Sequence, residues 1–152
     1  MTSVVPTRPI GYLVADIARL MRRRFERALS AADIGVTAAE ARVLAYVEHY
    51  PARRQAVLAE RLGVEPMTLS ALVDRLEAAG LLCRRPDPGD RRAKLIEVAP
   101  EAAPVLERIH GVAIRLRAEA VAGFSPTDVD AVYNLLGRMH ENLTVCGPSE
   151  TS

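Results

Sequence analysis

Five cationic side chains, Arg84, Arg85, Arg91, Arg92 and Lys94, stand close together in the stretch RRPDPGDRRAK, against two acids, Asp87 and Asp90, for a local charge of +3. Guanidinium and ammonium groups at this density suit the phosphate oxygens of a nucleic acid, whose neutralisation supplies much of any binding free energy. The centre of the stretch, Pro86-Asp87-Pro88-Gly89-Asp90, is a cluster of turn formers. Leu81–Arg85 and Lys94–Val98 therefore read as the strands of a hairpin with its charge at the tip. A second set precedes it. Met67, Thr68, Ser70, Ala71, Asp74 and Arg75 fall on one face of a helical pattern, small near its start and charged further on. A helix with a small polar leading face can sit deep in a major groove.

Other chemistry is poorly supplied. The histidines, His49, His110 and His140, are isolated from one another, and the chain has neither a glycine-rich phosphate loop nor a GxSxG turn. Cys83 and Cys146 lack a CxxC pattern and a histidine pair at ligand spacing, so they read as structural or incidental thiols. The sequence thus offers no catalytic residues, no metal site and no cofactor, and the chain is not expected to be an enzyme.

The elements that would position the two sets are legible. From about Arg54 to Leu62 a short helix turns Val57, Leu58 and Leu62 to one side, and Gly63 sits where a helix end favours a left-handed residue. Pro66 fits the first position of the next helix, where its missing N–H costs nothing. Leu69, Leu72, Val73 and Leu76 then follow the i, i+3, i+4, i+7 pattern of a buried stripe, and Gly80 stops the helix. Helix–turn–helix pairs and arginine-rich hairpins each occur in proteins that never touch nucleic acid. Their order here places a groove reader and a phosphate clamp on one side, which favours DNA.

The stretch LAERLGVEPMTLSALVDRLEAAGLLCRRPDPGDRRAKLIEV resembles the winged helix–turn–helix core of the MarR family of bacterial transcription regulators, and the Asp90-Arg91-Arg92 wing looks like that of its SlyA-type branch. GYLVADIARLMRRRFERAL and GFSPTDVDAVYNLLGRMHENL are similar to that branch's first and last helices, so the resemblance spans about residues 10–143. It implies a mostly α fold with a small β-hairpin wing: a winged helix–turn–helix core flanked by N- and C-terminal dimerisation helices. The boundaries are a flexible tail at 1–9, a helical dimerisation region at 10–34 and 100–143, a DNA-binding region at 35–99, and a second flexible tail at 144–152.

Composition agrees with a globular protein. Of 152 residues, 49% are hydrophobic and 26% charged, and the net charge of +1 is unevenly spread: +4 over residues 1–30, zero over 31–99 and −3 over 100–152. The acidic final third is a poor DNA face. No apolar run reaches the length of a membrane span of roughly 18 residues, and MTSVVPTRPIGY lacks a signal peptide's layout, so a cytoplasmic protein with no membrane partner is expected.

Along the chain, Ile10–Leu29 reads as a helix with Leu13, Ile17, Leu20, Met21 and Phe25 as candidate buried positions. Its other face carries Arg19, Arg22, Arg23, Arg24 and Arg27, either a solvated face or, Arg22 first, the lining of an anion pocket. Thr37 and Glu40 form the capping box of a second helix carrying Ala41, Leu44, Ala45 and Val47. After the wing, Pro100–Ala122 offers Val105, Leu106, Ile109, Val112, Ala113 and Leu116 at helical spacing. Ser125-Pro126 opens a last helix with Val129, Val132, Tyr133, Leu136 and Met139. These terminal stripes exceed what a small winged core can cover, and a second copy is the simplest partner. A two-fold homodimer would present two recognition helices roughly 34–36 Å apart to a near-palindromic site.

The expected DNA contacts are Thr68, Ser70 and Arg75 from the recognition helix, with Arg84, Arg91 and Lys94 near phosphate. The resemblance implies that Arg92 enters the adjacent minor groove, with Asp90 holding its guanidinium in line. Ala71 stands where many relatives carry arginine, so a guanine contact is missing. The resemblance also implies release by a small aromatic or lipophilic anionic ligand, for which Arg22, Tyr46 and His110 are the candidate residues. A winged-helix protein-interaction module without an operator is the alternative function, against which the intact basic wing argues.

Overall fold

The computed structural model describes residues 9–145. Cys146 and most of both expected tails, residues 1–8 and 146–152, lie outside the described residues. By its internal contacts the chain divides into two units, the first ending at Leu116 and the second beginning at Arg117.

The first unit opens with α1 (Ile10–Ala32) and α2 (Ala38–His49), joined through Asp33 and Gly35, both at positive φ. The Thr37 hydroxyl accepts from the Glu40 N–H at 3.2 Å, while the Glu40 carboxylate accepts from the Thr37 N–H at 2.8 Å. This reciprocal box satisfies two N–H groups that a bare helix start leaves unpaired. Because Ala41, Val43, Leu44 and Val47 are all buried, α2 is apolar on more than one side and becomes the centre of the core. A two-residue strand, β1 (Arg53–Arg54), follows, then α3 (Gln55–Leu62) and α4 (Pro66–Ala78). The expected helix start at Arg54 is therefore one residue early, since Arg53 and Arg54 pair with Ile96 and Leu95 instead.

Leu58 and Leu62 of α3 and Leu69, Leu72, Val73 and Leu76 of α4 are buried, so both apolar stripes face the core. At the end of α4, Gly80 adopts φ +73° and the N–H of Leu81 reaches the Leu76 carbonyl at 2.8 Å, closing the helix and aiming the chain into the sheet. β2 (Leu82–Asp87) and β3 (Asp90–Val98) complete an antiparallel sheet of order β1-β3-β2. Pro86 lies on the edge strand β2, where a missing ladder donor is tolerated. Both strands run closer to the tip than the sequence reading placed them, leaving only Pro88 and Gly89 between them. After a short 3-10 turn at Pro100–Ala102, α5 (Ala103–Ala120) buries Leu106, Ile109 and Val112.

The expected stripe of α1 is buried only at its C-terminal end. Leu29 is buried and Phe25 half-buried, but Leu13, Ile17, Leu20 and Met21 are exposed, the middle two at 48% and 49%. Helical periodicity identifies an amphipathic face but not what covers it.

In the second unit, Gly123 at φ +85° turns the chain into α6 (Pro126–Val145). The Ser125 hydroxyl accepts from the Asp128 N–H at 3.2 Å and donates to its carboxylate at 2.7 Å, the cap expected from Ser-Pro-x-Asp. The helix continues through residues 144 and 145, past the expected start of the tail. Val132, Tyr133 and Leu136 of its stripe are exposed. Among the described residues no helix is long and apolar enough to cross a membrane. Cys83 is a half-buried free thiol on β2.

Candidate nucleic-acid interface

With Leu69, Leu72, Val73 and Leu76 anchored inside, α4 turns Met67, Thr68 and Ala71 to solvent and leaves Ser70 half-exposed. Thr68 and Ser70 therefore lie where the sequence reading places them. Arg75, on the same helix, is engaged as well as exposed: its Nε donates to Glu40 Oε1 at 2.8 Å. Burial disfavours the charged form of Glu40, but the bond from Arg75, those from Thr37 and the charge of Arg75 outweigh it and hold the carboxyl below its ordinary range. One carboxylate thus caps α2 and ties α2 to α4.

The wing is held at its root and at its tip. At the root, Arg84 sends its guanidinium to Asp74 at 2.5 Å, to Glu77 and, at 3.4 Å, to Gln55. Burial opposes its charge, yet the bonds and charges of Asp74 and Glu77 raise its pKa above the ordinary arginine value. Arg84 was expected near phosphate; here it is half-buried and paired, a brace between β2 and α4 rather than a free cation. Arg85 is likewise paired, with Glu97 at 2.8 Å.

At the tip, the Asp87 carboxylate accepts from the Gly89 N–H at 2.8 Å and from Arg54 Nε at 2.7 Å. These bonds, the Gly89 one first, hold its pKa below the ordinary value. Asp90 accepts from the Arg92 backbone N–H at 3.0 Å, and its other oxygen lies 3.8 Å from Arg54. The expected grip of Asp90 on the Arg92 guanidinium is thus replaced by a grip on the Arg92 backbone. Strand pairing jumps from Pro86↔Lys94 to Asp87↔Asp90, so Arg91, Arg92 and Ala93 take no place in the register. A bulge of this kind re-aims side chains, and Arg91 and Arg92, with Lys94 beside them, are exposed.

The sequence reading did not single out Arg54 as a partner of the wing tip. Arg54 pairs with both tip acids from a strand two residues long, too short to leave a pattern of its own. Alternation of acids and arginines at the tip was the only available hint.

A groove of about 500 Å³ in the first unit is lined by Met21, Arg22, Phe25, Arg42, Tyr46 and Tyr50, among others. Arg42 donates to the Leu62 carbonyl at 3.0 Å, and the Arg61 guanidinium stands 5.6 Å over the Tyr50 ring. Burial, then the nearby charge of Arg22, lower the Arg42 pKa. Arg22 and Tyr46 therefore share a site, but His110 does not join them. It pairs with Glu48 at 2.6 Å and lines a separate hollow with Val98 and Leu106.

A helix–turn–helix whose second helix shows an open outer face, braced to a bulged basic hairpin, defines a winged-helix protein of the DNA-binding class. Residues 34–93 match the sequence model of the MarR family. Among similar solved structures, the transcriptional regulator PA3341 is 31% identical over 90% of this chain and 98% of that one, with a TM-score of 0.73. Wild-type apo MarR from E. coli is 26% identical over 87% of this chain and 97% of its own, with a TM-score of 0.71. A variant of E. coli MarR complexed with operator DNA shares the fold at 24% identity, covering 91% of this chain and 99% of that one, with a TM-score of 0.64. The chain belongs to the MarR family of transcriptional regulators.

Proposed function

We propose that this protein binds double-stranded DNA sequence-specifically as a homodimer, represses transcription from a near-palindromic operator, and is released by a small aromatic or lipophilic anion. The observation that carries the reading is the register break in the wing, which exposes Arg91 and Arg92 while Arg84 clamps the wing root to the outer-faced helix α4. Thr68 and Ser70 meet bases in the major groove. Arg92 enters the neighbouring minor groove, and Arg91 and Lys94 lie near phosphate. Arg75 contributes from its perch on Glu40 at the edge of the same face. The existence of a related MarR structure with operator DNA supports this docking. The Asp90-Arg91-Arg92 wing supports a place in the SlyA-type branch.

The dimer reading rests on exposed apolar side chains of α1 and α6, Leu13, Ile17, Leu136 and Leu143 among them, which a second copy would cover. The ligand reading rests on the groove at Arg22 and Tyr46, where aromatic and aliphatic walls meet three guanidinium groups, Arg22, Arg42 and Arg61. An anion that binds the DNA-incompetent arrangement more tightly shifts the population away from DNA.

Fluorescence anisotropy tests the whole reading, using duplex DNA from the region upstream of the protein's own coding sequence and a scrambled control at two salt concentrations. Specific binding that weakens steeply with salt is expected. Arg92→Ala lowers the affinity about tenfold, and benzoate, as an aromatic anion, releases the wild type but not an Arg22→Ala variant. Equal binding of both duplexes, or an unchanged Arg92→Ala variant, would reject operator recognition through the wing.

A further inference from the structure

Met67 is 86% exposed, and among the described residues it is the only large apolar side chain so open to solvent between Arg22 and Ala113. Every other such residue lies on α1, on α6, or between Ile114 and Phe124. It stands one residue after Pro66, in the first turn of α4, where the rigid start of the helix fixes its direction. The stripe it heads continues at helical spacing through Ser70, Ala71 and Asp74.

That stripe holds few groups able to read a base by hydrogen bonds. Asp74 at its far end is bound to Arg84 at 2.5 Å. Ala71 has only a methyl group, and Arg75, off the stripe, is engaged by Glu40. What remains at the leading end is an unbranched, polarizable thioether beside the hydroxyls of Thr68 and Ser70. In the major groove the one apolar mark on a base pair is the C5 methyl of thymine, and it is read by apolar contact. A flexible side chain adapts to such a methyl group better than a stiff one.

We infer that Met67 is a specificity-determining residue that selects thymine, packing its side chain on the C5 methyl group in the major groove of each half-site. The inference rests on the proposed docking of α4 into duplex DNA and deepens it. It assigns base preference to an apolar contact in a protein whose Ala71 supplies no guanine-reading arginine.

The test uses the full-length protein and duplexes enriched from a random pool by that protein. Each thymine of the enriched half-site is replaced singly by deoxyuridine, which lacks only the methyl group. One position is expected to cost the wild type about fourfold in affinity, the scale of one buried methyl-sized group. Met67→Ala loses about the same factor on the thymine duplex and nothing further on the uracil duplex, with an unchanged salt slope because no phosphate contact is altered. Met67→Leu, still apolar, keeps a thymine preference. Wild-type affinity indifferent to uracil at every position, or a Met67→Ala variant that retains the full preference for thymine, overturns the assignment while leaving DNA binding intact. Enrichment of no duplex at all would instead overturn operator recognition, and this inference with it.

Discussion

Arg54 has the least conspicuous sequence signal of the side chains around the wing, yet it engages both acids at the tip. Its guanidinium holds Asp87 at 2.6 Å and lies 3.8 Å from Asp90, and those two carboxylates in turn hold the backbone N–H groups of Gly89 and Arg92. On the proposed docking, Arg54 acts through the placement of the Gly89–Arg92 tip. Charge alone and placement make opposite predictions for Asp87. If the wing worked only through its positive field, Asp87→Ala would tighten DNA binding, because it removes a negative charge. If placement matters, Asp87→Ala and Arg54→Ala both loosen the tip, and both weaken binding about three- to tenfold, the scale of removing a single phosphate or minor-groove interaction. Anisotropy titrations of the two variants at one salt concentration decide between these, and tighter binding by Asp87→Ala would overturn the positioning role. The thermal midpoint should barely move, since a surface ion pair adds little to stability.

Between elements, the tie that matters most runs from α2 to α4 through Glu40 and Arg75. The folded-state pKa of Glu40 lies below its ordinary value, so its charged form is favoured by folding. Its stabilising contribution is then fully present above the ordinary glutamate range and is lost as pH falls through the depressed folded value. Glu40→Gln can still cap α2 but cannot attract Arg75 as an ion. The variant should be about 1 kcal/mol less stable at neutral pH, with the difference shrinking on acidification as the wild-type carboxyl protonates. Urea melts at pH 7 and pH 3 read this directly; a difference that persists undiminished at pH 3 would assign the cost to something other than the charge. Gly80 makes a second junction, between α4 and β2. Its φ of +73° penalises any side chain, although nothing lies within 4 Å of where a Cβ would sit. Gly80→Ala should thus cost about 1 kcal/mol through the backbone alone. The capping box at Thr37 and Glu40 and the helix-ending Gly80 were legible in the sequence, because both are local signals. So was the buried stripe of α4, because its period is unambiguous. The partners of Arg75, Arg84 and Arg54 were not legible. Glu40, Asp74 and Asp87 meet them only after α2, α4 and the wing have packed, and an arginine that will be paired looks the same in sequence as one that will stay free.

For the whole molecule, the same limit of local reading appears as exposed apolar surface. Leu13, Ile17 and Leu20 were expected to be buried from their spacing, and in the single chain they are 46%, 48% and 49% exposed. Val132 and Leu136 of α6 are open in the same way, at 36% and 49%. Leaving such stripes in water is unfavourable by roughly 25 cal/mol for each Å² that could be covered, which is the physical case for the proposed homodimer. If a second copy covers them, folding stability is linked to association, and the wild-type thermal midpoint must rise with protein concentration. Leu13→Asp combined with Ile17→Asp places charges in the covered face. Neither side chain is in the buried core of the single chain, so the variant should keep its helix content while sedimenting as a monomer with a concentration-independent midpoint. Its operator affinity should fall roughly 100-fold or more, because the second recognition helix no longer binds as a tethered partner of the first. Its affinity for an isolated half-site should match that of the wild type. A variant that still sediments as a dimer would exclude this face from the interface, and a wild type that is monomeric at micromolar concentration would remove the homodimer itself. Equal operator affinity from a proven monomer would show that recognition needs one wing and one α4, not a symmetric pair.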